Sequence, residues 1–163
     1  MSIVMKFGGT SVADAAALDN VARVVAARGE AAVVIVVSAM SGVTDALLAS
    51  VRLASESCVD EGIGSLNEMF DRHRIAAEQL FSRDSAFEFH AYLAEAAAQI
   101  EKSLRQIANE AGERRAAQDA IVSFGELLSS RLLAEVLKQR GVQARQVDPR
   151  ECITRQAAQH QVA

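Results

Sequence analysis

The stretch IVMKFGGTSV, residues 3–12, runs an apolar segment into a lysine, an aromatic ring, two glycines and two hydroxyl residues. The run IVMKF reads as a buried strand, and Gly8-Gly9 ends it. From Asp14 the period changes: Leu18, Val21, Val24 and Val25 recur at three- and four-residue intervals until Gly29, which predicts a helix. The next apolar run, AAVVIVVSAM at 31–40, is rich in β-branched residues and does not alternate. Such a strand is covered on both faces, as in a parallel sheet flanked by helices. Strand, helix and strand at this spacing form a βαβ unit with a right-handed crossover.

Outward from that unit the chain is helical. TDALLASVRLASES follows a Ser-Gly turn, and SLNEMFDRHRIAAEQLFS places Leu66, Phe70, His73, Ala77 and Leu80 on one stripe. The next helix opens with a capping box, Ser85 and Glu88, carries Phe89, Leu93, Ile100, Leu104 and Ile107 at helical spacing, and closes at Gly112. A further helix spans about Asp119 to Arg140 and is ended by Gly141. VQARQVD at 142–148 reads as a third strand broken by Pro149. Three strands are few for a doubly wound domain, since sheets usually carry about 5–6. The segment after Asp148 is polar and rich in Ala and Gln, and the expectation is a fold that continues beyond residue 163.

Composition narrows the function classes. At 163 residues the chain suits one domain with its own core. A formal net charge of −4, with basic residues scattered, argues against nucleic acid as a partner. Cys58 and Cys152 lie far apart in no metal or redox spacing, which fits a reducing compartment. His73, His90 and His160 sit in unrelated contexts, so no protein metal site is expected. No signal peptide is evident, and the apolar runs fall well below membrane-spanning length. The expected location is the cytoplasm, with no membrane partner.

Three stretches carry candidate chemistry. A strand ending in two glycines before a helix exposes backbone N–H groups at the carboxyl edge of a sheet, where α/β proteins bind ligands and free amides favour anions. Lys6 adds a full charge there, although its order relative to the glycines is neither that of a Walker A loop nor a G-x-G-x-x-G fingerprint. A lysine snorkelling to solvent is the plain alternative. Ser38, Ser41 and Thr44 cluster around Gly42 at the end of the second strand, suited to helix capping or to ligand oxygens. Gly125 interrupts a strong apolar helix at a cost of about 1 kcal/mol relative to alanine, which suggests close approach of a backbone or ligand. Glu126 beside it is placed to accept hydrogen bonds from an ammonium group, or is an ordinary surface glutamate.

Together, MKFGGTSV at 5–12, VVSAMSGVTD at 36–45 and SFGELLSSRLL at 123–133 resemble the aspartokinase branch of the amino-acid kinase family in order and separation. VQARQVDPRECITR is similar to that family's next strand and its D-x-R-x-x-I-T segment. The resemblance spans essentially the whole chain. It implies a parallel-sheet, three-layer αβα amino-acid-kinase-like fold, incomplete here. Residues 1–163 would be the amino-terminal portion of the catalytic domain, with no ACT regulatory domain. The region of about 45–118 looks like the helical insertion of lysine-sensitive and homoserine-dehydrogenase-linked aspartokinases.

The implied reaction is ATP-dependent phosphorylation of the L-aspartate side-chain carboxylate to 4-phospho-L-aspartate, an entry to lysine, threonine and methionine biosynthesis. By similarity Lys6 contacts the transferring phosphoryl group, and Gly8, Gly9, Thr10 and Ser11 supply amide or hydroxyl contacts to phosphate, with Ser38 beside them. Thr44 and Glu126 hold the aspartate, Glu126 near its α-ammonium group; Arg131 is a further candidate that would otherwise brace its helix. The cofactor implied is ATP with Mg²⁺ held mainly by phosphates.

The family's later arginine, aspartate and G-G-S-D nucleotide segment do not occur in these residues. The isolated chain is therefore expected to show no appreciable aspartokinase activity, checked by ATP- and aspartate-dependent hydroxamate formation. It is also expected to self-associate as a homo-oligomer through exposed apolar faces. Two alternatives stand beside this reading. One is another amino-acid kinase acting on glutamate, carbamate or a nucleotide; the other is a non-catalytic helical assembly module.

Overall fold

The computed structural model describes residues 3–29, 33–109 and 114–152. Strand β1 (Ile3–Phe7) leads through a 3-10 turn (Gly9–Val12) into α1 (Ala15–Ala26), and strand β2 (Val33–Val37) follows. The strands pair in parallel with Ile3 opposite Val33 and Phe7 opposite Val37, so the βαβ unit forms as its period changes predict. Asp14 caps α1, its Oδ1 accepting from the Ala17 N–H at 2.8 Å, an interaction that typically stabilises by about 1 kcal/mol. Leu18, Val21, Ala22 and Val25 form the buried stripe of α1, whereas Val24 faces outward.

The helical region then runs α2 (Val43–Ser55), α3 (Val59–Gly64), α4 (Asn67–Leu80), α5 (Arg83–Asn109), α6 (Arg114–Gln139) and a last single turn, α7 (Pro149–Cys152). All five apolar positions expected of α5 are buried. Its start differs from the capping box assigned to Ser85 and Glu88. The helix begins at Arg83, and the Ser82 Oγ accepts from the Ser85 N–H at 3.3 Å. A serine three residues upstream caps the helix instead, and the orphan amide it satisfies is that of Ser85 rather than Glu88. The closing glycine at 112 lies outside the described residues. Helix α6 starts before Asp119 because Arg114–Gln118 contains no breaker. From Ile121 to Leu137 it has no exposed residue, with Ile121, Leu128, Leu132 and Leu137 fully or almost fully buried, and it packs on α1, α2, α4, α5 and β2. Such a helix is a core element rather than an amphipathic cover.

Two features of the sheet depart from expectation. Residues 142–148 keep the alternating exposure of a strand but join no ladder. Val142 and Ala144 pack on the core, and the Gln146 amide donates to the Leu127 carbonyl (2.8 Å) and the Ser130 hydroxyl (2.7 Å). Side chains thus tie the segment to α6. An open groove of about 480 Å³, walled by Val33, Ile35, Leu137 and Ala144, separates it from the edge of β2. The second departure is that β2 is covered on one face, not two. Met5, Phe7 and Ile35 turn toward the helices, while Val4, Val34 and Val36 remain 69%, 56% and 48% exposed. Of the three layers expected, the described residues supply the sheet and one helical layer.

Candidate active site

Parallel pairing brings the carboxyl ends of β1 and β2 to one edge, and the two small-residue loops leave the sheet side by side. The Ser38 N–H donates to the Phe7 carbonyl at 3.1 Å, extending the ladder by one bond into the loops. Beyond it they touch directly: a Cβ on Gly9 would lie 2.8 Å from the Ala39 carbonyl oxygen and 3.5 Å from the Ser41 nitrogen. Only a residue without a side chain permits that approach. Gly8 next to it faces open space, with nothing within 4 Å of the same position.

The 3-10 turn closes with the Ser11 N–H donating to the Gly8 carbonyl at 2.9 Å. By the geometry of such a turn the first amides, those of Gly9 and Thr10, lack an intrahelical partner. Thr10 is exposed and Ser11 half-buried. Lys6 is exposed on the face of the sheet that the helices leave open, opposite Val36. Among the described residues it makes no hydrogen bond or ion pair. A charged amine, free amides and an unobstructed Gly8 thus share one edge, an arrangement suited to phosphate oxygens.

The second loop ends at Gly42, whose φ of +79° opens α2. Ser38 and Thr44 are both half-buried. Helix α6 reaches this loop through Gly125, where an added Cβ would lie 2.7 Å from the Ala39 Cβ and 3.3 Å from Val43 Cγ1. The close approach inferred from Gly125 is therefore that of the β2 loop and the first turn of α2. Glu126, half-buried and without a hydrogen bond or ion pair among the described residues, follows that contact directly. Thr44 follows Val43 in the same way. Arg131 goes elsewhere: its guanidinium lies 5.5 Å from the centre of the Tyr92 ring on α5, a cation–π contact that braces α6.

One residue of the site escaped sequence reading. Arg72, on α4, donates from Nη1 to the Ser41 carbonyl (2.8 Å) and from Nη2 to the Ala13 carbonyl (3.1 Å). It bridges the two loops across 31 and 59 residues of chain, a reach that leaves no local pattern. Next to it, His73 is fully buried. Burial lowers its pKa to about 4; the bond to the Met69 carbonyl opposes this and the Arg72 charge adds to it. No group of three or more His, Cys, Asp or Glu side chains placed to hold a metal occurs among the described residues. The donors at the cradle are amides and an amine, which fit phosphate rather than a cation. None of Lys6, Gly8, Gly9, Ser38 and Thr44 lines the groove beside β2.

Comparison with known proteins gives the chain's relatives. The sequence profile described as the amino acid kinase family matches residues 1–163. The bifunctional aspartokinase/homoserine dehydrogenase 2, chloroplastic, of Arabidopsis thaliana is 30% identical over 150 residues, covering 92% of this chain and 16% of that protein. Aspartokinase 1, chloroplastic, of the same organism is 36% identical over 154 residues, 91% of this chain and 25% of that protein. Among solved structures, E. coli aspartokinase III in complex with aspartate and ADP (R-state) matches with a TM-score of 0.71 at 28% identity, over 88% of this chain and 30% of that one. The chain thus spans less than a third of each of these relatives. No helix among the described residues is long and apolar enough to cross a membrane. With the profile matched from end to end and the loops after β1 and β2 joined at one sheet edge, the chain belongs to the amino acid kinase family.

Proposed function

We propose that this chain supplies the phosphate cradle and part of the aspartate site of an ATP-dependent kinase that phosphorylates the L-aspartate side chain. One observation carries the reading: the loops after β1 and β2 lie against each other at Gly9 and Ala39, and Gly125 seats the helix bearing Glu126 on the second of them. Lys6, Gly8, Gly9, Thr10 and Ser11 take the phosphate chain, with Ser38 beside it. Thr44 and Glu126 take the amino acid, Glu126 as acceptor for the α-ammonium group.

The chemistry asks little of the protein in proton transfer. The aspartate carboxylate has an intrinsic pKa of about 3.9 and is ionised at neutral pH. A carboxylate oxygen forms the new bond to the γ-phosphorus as the bond to the β,γ-bridging oxygen breaks, leaving ADP with that electron pair. No proton moves and no general base is needed. The work left to the chain is alignment and charge neutralisation by Lys6 and the loop amides. Mg²⁺, carried by the phosphate oxygens, supplies further neutralisation when bound. We assign the activity to the cytoplasm on cysteine usage, while the names of the plant relatives place those proteins in the chloroplast.

The test is binding by calorimetry with magnesium tripolyphosphate, which presents the phosphate chain without needing an adenosine pocket, and with L-aspartate against L-glutamate. Saturable tripolyphosphate binding is expected, weakened about tenfold or more in Lys6→Ala through loss of a charge-assisted contact, with self-association unchanged. A preference for L-glutamate would assign the chain to another amino-acid kinase. Absence of anion binding would leave the helical assembly module.

A further inference from the structure

We propose that Arg72 is a positioning residue, a latch that fixes the phosphate cradle after β1 relative to the substrate loop after β2. The inference rests on reading those loops as one site. Arg72 sits in the second turn of α4, and its guanidinium holds two carbonyls from different loops: Ser41 through Nη1 at 2.8 Å and Ala13 through Nη2 at 3.1 Å. Each carbonyl lies where its loop enters a helix. Ala13 follows the 3-10 turn and precedes the Asp14 cap of α1, and Ser41 precedes the Gly42 start of α2.

The roots of the loops are already joined, by the Ser38 N–H to the Phe7 carbonyl and by the contact of Gly9 with Ala39. Arg72 joins their far ends. Between the two fastenings lie Thr10, Ser11 and Val12 on one side and Met40 on the other. A planar fork of fixed geometry suits two acceptors held at a set separation, whereas an ammonium on a flexible stem does not. Charge pairing is not what places the residue. Among the described residues Arg72 forms no ion pair, and its neighbour Asp71 pairs with Arg74 instead. Its donors go to neutral carbonyls, and what it determines is distance.

The test uses the full chain with Arg72→Met, which keeps the apolar stem, Arg72→Lys, and Arg72→Ala with and without ethylguanidinium. Amide hydrogen exchange and magnesium tripolyphosphate binding are measured on each. In Arg72→Met, exchange at the Ser11 and Val43 amides is expected to rise about tenfold while α5 and α6 keep their protection, and tripolyphosphate affinity is expected to fall about tenfold, as for loss of a charged hydrogen bond. Arg72→Lys does not restore affinity; ethylguanidinium restores it to Arg72→Ala. Unchanged exchange in the two loops, exchange raised equally throughout the helices, unchanged affinity in Arg72→Met, or full rescue by lysine would each overturn the proposal. A wild-type chain that binds no tripolyphosphate removes the phosphate-site reading and the positioning role with it. Loop exchange in that case still reports whether the latch itself forms.

Discussion

Gly125→Val is expected to destabilise the protein by about 3 kcal/mol, the upper part of the usual range for an overpacked core. For a chain of this length that corresponds to a fall of roughly 6–12 °C in Tm. The reason is local and rigid. The first added carbon would sit 2.7 Å from the Ala39 Cβ, 3.3 Å from Val43 Cγ1 and 3.6 Å from Leu47 Cδ1. The Ala39 Cβ is fixed to its backbone and has no rotamer through which to withdraw. Relief requires α6 to move away from α2 and the β2 loop, and α6 is the most enclosed helix of the fold. Gly125→Ala separates the contributions, because a gain of about 1 kcal/mol in helix propensity offsets part of the clash. Its net loss is expected to be about 1 kcal/mol. Urea unfolding followed by circular dichroism measures both. A valine variant as stable as wild type would mean that α6 does not seat on Ala39, and the placement of Glu126 would fall with it.

That glycine was legible in the sequence, and the reason separates what could be read from what could not. An interrupted apolar period, a glycine pair at a strand end and a change of period at Asp14 are local signals. They fixed β1, α1, β2 and the close approach at Gly125. The buried stripe of α5 was legible for the same reason, since a helix repeats its neighbours every turn. That of α4 was legible in part: Leu66, His73 and Ala77 are buried, whereas Phe70 and Leu80 are half-buried. Where local rules had near-equivalents, boundaries slipped: Ser82 and Ser85 are both competent caps three residues apart, and the helix uses the first. Residues 142–148 carry a strand's alternation, but pairing depends on what lies beside β2, and there the side chain of Gln146 anchors the segment to α6. The unbroken β-branched run of β2 predicted cover on both faces, yet Val34 and Val36 stay open among the described residues. Arg72 was not legible at all. Its partners are backbone carbonyls, which every residue has, so no residue type marks the contact. Of the candidate side chains, Arg131 had bracing of its helix as the alternative, and its contact with the Tyr92 ring on a neighbouring helix is of that kind.

Between pH 7 and pH 5 the wild-type protein is expected to lose about 2 kcal/mol of stability through His73 alone. The ring is fully buried on α4, and its Nδ1 lies 2.7 Å from the Met69 carbonyl. A carbonyl only accepts, so the neutral ring donates its Nδ1 proton there and leaves Nε2 as a bare acceptor, which has no hydrogen-bond partner among the described residues. Protonating Nε2 would place a charge in an apolar interior beside the Arg72 guanidinium. Burial accordingly lowers the pKa to about 4 from the ordinary 6.5. The folded value lies below the unfolded one, so between them the unfolded chain binds more protons and acid favours unfolding. The His73 contribution is complete above about pH 6.5 and is lost progressively as pH falls toward 4. His73→Met keeps the volume and removes the titration. It also costs no needed hydrogen bond, since the Met69 carbonyl already accepts from the helix backbone. The expected measurement is a pair of urea-unfolding series at pH 7 and pH 5, in which the methionine variant loses about 2 kcal/mol less than wild type. Equal losses in the two proteins would show that His73 takes up its proton in the folded state at an ordinary pKa. The ring would then have to reach solvent or a carboxylate, and the packing of α4 that holds Arg72 against the two loops would have to differ from that described.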